Sequence, residues 1–528
     1  MTRVAGETLL QPPAASGGPG GILHGRDLSS FDESCDVVVV GSGAGGAVVA
    51  AHLAEAGLSV IVLEEGPHYT AEEIRAFRPT EAMRKTWREG GLLAAVGVGN
   101  TPIIGVAVGR NVGGSSVHTG GVCFRVPSYV HAEWVKNHDL LDLSEKNFEA
   151  AYEDVERRVN VTEVPADMRS RSTRKFVEGA AKLGIPMHAI RRNTSDCEGN
   201  GVCNFGCPKG AKLSVDLSYL PSALAHGTRL VSDALVSRVL FDGDRAVGVE
   251  GFLTAPPPYV GKPKVPFRVR ARAVVAACGT LHTPLLLENS GVSSPHLGRH
   301  ITLHPGLRVG AMFDEPVHGW DGALQSVFTE HFHDQGITLV GVYTAVNLLA
   351  ASLPGVGPSH RALVRKMPYL GIHGGMIHDE GGGAVRRAPA GREPLLTYEM
   401  IPRDLARLRH ALTLLGEIAF AAGAREVFLP IFGIPPVRDP RVLRDLETGS
   451  IDARRIECVA FHPLGSARMA NEPRRGVTAA NGEVFGTRGL YVADGSVLPT
   501  SIGVNSQVPI MTMATRIAWQ LRERLPPS

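Results

Sequence analysis

The sequence predicts an α/β fold in two parts. One is a discontinuous Rossmann-like unit on a parallel sheet; the other is an α+β unit with an antiparallel sheet. Three observations carry this. A strand–glycine turn–helix unit opens near residue 35, Ala273 to Ala277 reads as a later strand of the same sheet, and Asp404 to Ala422 in the middle of the chain reads as a helix outside that unit. Val37 to Val40 are an unbroken β-branched run, as expected of a strand covered on both faces. Gly41-Ser42-Gly43-Ala44-Gly45-Gly46 follows, then a helical stretch from Ala47 to Ala56, with Gly57 at the place of a C-terminal cap. A second apolar run, Val60 to Leu63, ends at Glu64.

This is Gly-x-Gly-x-x-Gly with a strand before it, a helix after it and an acid about twenty residues on. Gly41 allows the tight turn, Gly43 lets backbone approach a pyrophosphate, and Gly46 lets helix and strand pack closely. Ala44 lies within the turn. The free N–H groups at the helix start suit phosphate. Glu64 suits ribose hydroxyls and would repel a 2′-phosphate, which disfavours NADP. The motif alone does not separate FAD from NAD.

Val236 to Val249 reads as a hairpin beside the parallel strands. Asp404 to Ala422 reads as a helix, with Leu405, Leu408, Leu412 and Leu415 at helical spacing. Residues 30–130, 195–300 and 455–528 are expected to build the cofactor domain. Residues 131–194 and 301–454 are expected to build the substrate domain, and 1–29 a loose arm. The apolar stretch around Leu348 to Ile372, broken by Arg361, Arg365 and Lys366, reads either as a lid that touches lipid or as an ordinary amphipathic core helix.

The 528 residues are 44% hydrophobic and 20% charged, with a formal net charge of +2, which gives no reason to expect nucleic acid or an acidic partner. Seven Cys, an odd number, do not read as a disulfide scaffold. No signal peptide or spanning segment is expected, so a cytoplasmic protein is, with membrane-surface contact open. Cys197, Cys203 and Cys207 are spaced somewhat like iron–sulfur ligands, but a fourth ligand is missing and no metal is expected.

Three further segments resemble the glucose–methanol–choline (GMC) oxidoreductase family, in the family's order and over nearly the whole chain from about Ser34. They are Gly109-Arg110-Asn111-Val112-Gly113-Gly114-Ser115-Ser116-Val117-His118-Thr119-Gly120; Gly279 to Pro284 running to Ser290-Gly291; and the pair Phe461 to Met469 and Leu490 to Pro499, closing with Gly503-Val504-Asn505. The resemblance implies an FAD-binding Rossmann-like domain beside the substrate domain. It implies that Arg110 and Gly113 to Ser116, including Gly114 and Ser115, lie along the flavin and pyrophosphate. Asp494 and the helix starting near Gln507 would face the phosphates and flavin, and Val236, where the hairpin begins, counts among the cofactor positions. In some members a His placed like His118 is bonded to the flavin; here covalent and free FAD stay open, and Thr119 departs from the Asn that often follows.

The implied chemistry is hydride transfer from an alcohol carbon to flavin N5. His462, within His-Pro-x-Gly-x-x-Arg-Met, is the implied base, and Asn505 the amide that donates to the substrate oxygen. Sterol-type members also use a buried Glu, which neither Glu380 nor Glu399 matches well. Leu303-His304-Pro305, Asp379 to Val385, and Gly210-Ala211-Lys212 with Tyr219-Leu220 resemble the long-chain fatty alcohol oxidase and sterol oxidase-like branches. A long-chain aliphatic alcohol is therefore the leading expectation, with O2 as acceptor and H2O2 as product. A sterol substrate, a quinone or protein acceptor, and a non-catalytic or photochemical flavoprotein are the alternatives.

Overall fold

The computed structural model describes residues 20–255, 264–389, 391–449 and 451–526. The strand Phe31–Val40 sits at the centre of an eight-stranded sheet. On one side it pairs in parallel with Val60–Leu63, which is followed by Arg229–Ser232 and Gly21–His24. On the other it pairs in parallel with Val265–Ala276, where Leu490–Val492 adds a further parallel partner. Val37 to Val39 are fully buried because helices cover the sheet, among them Gly46–Glu55 and Gln507–Arg524. The expected hairpin is Ala234–Asp242 with Arg245–Leu253, continued antiparallel into Val265–Ala276.

The second sheet has eleven strands. Its middle runs Cys458–Ala460, Gly306–Met312, Leu370–Ile377, Ile337–Val342 and Gln325–Thr329. The helix Pro402–Ala421 packs on one face through Leu408, Leu412 and Leu415, as its spacing predicts.

The expected boundaries need correction in four places. Gly21–His24 is an edge strand paired with Arg229–Ser232, so that part of 1–29 is no loose arm; residues 1–19 lie outside the described residues. Ala94–Gly97, Ile104–Val106 and Cys458–Ala460 belong to the second sheet, although 30–130 and 455–528 were assigned to the cofactor domain. Helix Glu145–Arg158, assigned to the substrate domain, packs on helix Gln507–Arg524, with the Arg516 guanidinium 4.6 Å from the Phe148 ring centroid. Finally, Leu370 and Ile372 lie in a central strand whose eight residues are all buried; Val346–Ser352 and Gly357–Val364 are the α-helical parts of that stretch, and Met367–Tyr369 is a 3-10 turn before the strand. Pairing on both sides, with Gly306–Met312 and Ile337–Val342, decides this over local pattern.

That strand also buries His373 completely, stacked on Phe176 with ring centroids 4.4 Å apart and neither ring nitrogen hydrogen-bonded. Burial holds its pKa at about 3, below the ordinary 6.5, so the fold holds the neutral ring. The unfolded chain binds this proton first. The stabilisation is therefore complete above pH 6.5 and is lost as pH falls toward 3. The loss reaches about 2 kcal/mol near pH ~5. His373→Phe is accordingly expected to narrow the drop in Tm between neutral and mildly acid pH, read by thermal melts.

Candidate active site

Residues from both sheets line a cavity of about 620 Å³, within the range of small-molecule and cofactor sites. One end is the glycine turn. Gly41 has φ +103°, and a Cβ there would lie 2.2 Å from the Ala277 carbonyl oxygen. A Cβ on Gly46 would lie 1.9 Å from the Gly41 oxygen, so the expected close packing of helix and strand is observed. Gly43 differs: its nearest neighbour would be Gly114 Cα at 3.9 Å, and both glycines line the cavity. Ala44 and Ser115 line it as well, and no side chain caps the helix that begins at Gly46.

Glu64 lines the cavity, and its carboxylate accepts from Ser42 N (3.0 Å), Ser42 Oγ (2.8 Å) and Gly66 N (2.9 Å). Burial raises its pKa, opposed by these donors. Asp494 accepts from Gly279 N (2.8 Å), Thr283 Oγ1 (2.5 Å) and Ser496 N (2.7 Å), tying two cavity-lining loops together. Val236 lines the cavity beside a register shift in its strand. Gly46, Arg110 and Gly113 do not line it. Arg110 meets the surrounding backbone through its N–H on Thr86 O at 2.7 Å, and Gly113 N donates to Ser42 Oγ at 3.1 Å.

Gln507 begins the last helix. Its Oε1 accepts from Thr119 Oγ1 at 2.7 Å, while its buried Nε2 has no partner. His118 is buried, and burial, with the Lys212 ammonium nearby, holds its pKa at about 3. Trp87 Nε1 donates to His118 Nδ1 (3.1 Å), so Nε2 carries the proton and donates to Asn111 Oδ1 (2.8 Å). Asn204 O lies 3.3 Å from Nδ1 and shares the Trp87 N–H, so a bond from His118 to a cofactor would displace either this Trp87–Asn204 pair or Asn111. Buried Lys212 donates to the carbonyls of Val117 (2.7 Å), Thr119 (2.8 Å) and Cys203 (3.0 Å), and so clamps this segment to the Cys-rich loop. Cys197, Cys203 and Cys207 surround a void of about 20 Å³. Among the described residues no His, Cys, Asp and Glu side chains group so as to hold a metal ion.

At the other end Asn505 Nδ2 donates to His462 Nε2 at 3.1 Å, though the two are 43 residues apart. The imidazole proton therefore sits on Nδ1. His462 Nδ1 and Asn505 Oδ1 are buried without partners. Burial, with His304 adding to it, holds the His462 pKa at about 3. Sequence reasoning assigned no role to His304, whose ring centroid lies 5.5 Å from that of His462. Its Nε2 accepts from Ile502 N (3.0 Å) and Gly503 N (3.2 Å), just before Asn505. Buried Asp379 braces the same turn, accepting from Leu303 N (2.8 Å), His304 N (3.2 Å), Ser501 Oγ (2.7 Å) and the Tyr398 hydroxyl. Leu303-His304-Pro305 was visible only as a family-like run. Lys212 was likewise visible only in a family-like run, and Trp87 had no local signal of a role, because its partners His118 and Asn204 are distant in sequence.

The cavity thus has room beside Gly43 at one end, an unpartnered amide N–H at Gln507, and unpartnered His462 and Asn505 atoms at the other end. This donor set fits FAD. Residues 35–306 and 387–514 match two family models, both described as GMC oxidoreductase. The chain is 36% identical to an uncharacterized GMC-type oxidoreductase of Mycobacterium tuberculosis over 92% of its length and 75% of that protein's. It is 29% identical to a long-chain-alcohol oxidase of Arabidopsis thaliana, over 93% of this chain and 68% of that one. Its fold is similar to the crystal structure of pyridoxine 4-oxidase from Mesorbium loti, with a TM-score of 0.71, 19% identity and coverage of 93% and 99%. The chain belongs to the GMC oxidoreductase family of FAD-dependent oxidoreductases.

Proposed function

We propose that the protein oxidises the CH–OH group of an aliphatic alcohol to an aldehyde, with O2 as the final acceptor and H2O2 as product. The observation that carries this is the 3.1 Å contact between Asn505 Nδ2 and His462 Nε2 inside the cavity. A neutral imidazole with its lone pair on Nε2 can take the hydroxyl proton. The Asn505 amide can turn its N–H to the oxygen as that oxygen gains negative charge. His304 and Asp379 act on the turn before Asn505 and hold its amide in place.

Bound FAD supplies the hydride acceptor. The first glycine turn and Gly114 to Ser115 would hold its phosphates, Glu64 its ribose, and Gln507 and His118 its ring. Gly41 and Gly46 shape the turn, and Arg110 and Gly113 would support the neighbouring loop. The substrate end is walled by Val340, Val342, Met376 and Phe461, which suits an apolar chain. The likeness to an Arabidopsis long-chain-alcohol oxidase supports the same substrate class. Among the described residues no helix is long and apolar enough to cross a membrane.

The test is anaerobic mixing of the holoenzyme with decanol, cholesterol, choline or glucose while flavin absorbance is followed. Decanol is expected to bleach the flavin fastest, and peroxide to form on admission of air. Bleaching by none of the four would overturn the alcohol reading. Bleaching by decanol without peroxide in air would move the acceptor to a quinone or protein.

A further inference from the structure

We infer that Arg308 selects alcohols that carry a carboxylate at the end remote from the reacting hydroxyl. This deepens the proposed alcohol oxidation and rests on it. Arg308 lies in the strand Gly306–Met312, where side chains alternate between faces. Val309 is wholly buried in the core beneath, whereas Arg308 lines the cavity. Its cross-strand partner is Gly374, and Val340 faces Gly374 from the next strand, so no polar side chain stands beside the guanidinium on those strands.

The guanidinium makes no hydrogen bond to the described residues, and the nearest carboxylate, Glu457, is 4.0 Å away, beyond hydrogen-bond reach. Arg88, which lines the same cavity, is by contrast paired with Glu65 and Glu393. A planar fork of N–H donors that faces an apolar cavity and lacks an acceptor fits a carboxylate, which it can hold by two parallel hydrogen bonds.

The register sets the distance. Gly306 lies opposite Val459 in an antiparallel pair, so Arg308 lies toward Glu457 while His304 lies toward His462. His304 stands just before the strand, at φ +49°, and Arg308 lies within it, so their Cα atoms are at most roughly 14 Å apart. The walls between are apolar, with Val340 and Met376 among them. A medium-chain ω-hydroxy carboxylate would place its hydroxyl at His462 and its carboxylate at Arg308.

Two measurements on the holoenzyme test this. The first compares kcat/KM for ω-hydroxydecanoate and for decanol, read from anaerobic flavin reduction. The acid is expected to be favoured, and the ratio to fall about ten- to hundredfold in Arg308→Gln. Glu457→Gln, which removes a nearby negative charge, is expected to raise the ratio. The second measures decanoate binding to the oxidised holoenzyme through its perturbation of flavin absorbance, with a Kd weakened by a similar factor in Arg308→Gln. Should Gln at 308 unsettle the fold, Arg308→Lys keeps the charge without the fork, and an intermediate loss is expected. An unchanged ratio and an unchanged decanoate Kd in the position-308 variants would overturn the inference while leaving alcohol oxidation intact. Decanoate binding that depends on Arg308 in a protein that no alcohol reduces would instead overturn the alcohol reading and leave the carboxylate site standing.

Discussion

Replacing His462 by Ala is expected to slow alcohol-driven flavin reduction by about a hundred- to ten-thousandfold, the range of a lost general base. Bound FAD per protein should stay near one, because His462 sits at the end of the cavity away from the glycine turn. The base form needs no titration near neutrality: burial holds the imidazole pKa at about 3. The wild-type kcat/KM profile is therefore expected to show no loss of activity on acidification through the ordinary imidazole pKa. That loss would appear only toward the far lower value. A steep fall around 6.5, the ordinary value, would show that the ring is solvated and the geometry wrong. Asn505→Ala alone is expected to cost about a hundredfold or more. Added to His462→Ala it should cost much less, since in the proposed chemistry both groups act on one oxygen. Full additivity in that cycle would separate the two residues and remove the basis of the proposed chemistry.

The second large effect is at Gly43. Gly43→Val is expected to yield folded protein that purifies without flavin, because a side chain there meets open cavity, with Gly114 Cα at 3.9 Å as its nearest neighbour. Gly46→Val is expected to yield no folded protein, because its Cβ would lie 1.9 Å from the Gly41 oxygen and 3.1 Å from Ala277 Cβ. Flavin absorbance per protein and circular dichroism read the two outcomes. A flavin-loaded Gly43→Val protein would place the phosphates elsewhere, and the turn would then be only a structural corner.

The first strand, glycine turn and helix were legible because the main constraints are local: Gly41 takes φ +103° and Gly46 packs on the Gly41 carbonyl. Each of Gly41 and Gly46 meets atoms brought close by the same βα unit or its neighbouring strand, and the residue type follows from that crowding. The helix Pro402–Ala421 and the hairpin from Ala234 were legible for a similar reason: periodicity and turn chemistry act within a few residues. The boundaries between the two units were not. Ala94–Gly97 and Cys458–Ala460 look like any short apolar run, and only their sheet partners decide where they belong.

From sequence alone came the α/β class, the strand–turn–helix site and, through family-like motifs, the pair at positions 462 and 505. Tertiary structure alone decided that His304 and Asp379 brace the turn before Asn505, that Lys212 clamps the segment around His118, and that Arg308 faces the cavity without a bonded acceptor. The physical reason is range. Backbone sterics and periodicity are written in neighbouring residues, whereas burial, desolvation and hydrogen-bond satisfaction depend on groups that only the folded chain brings together.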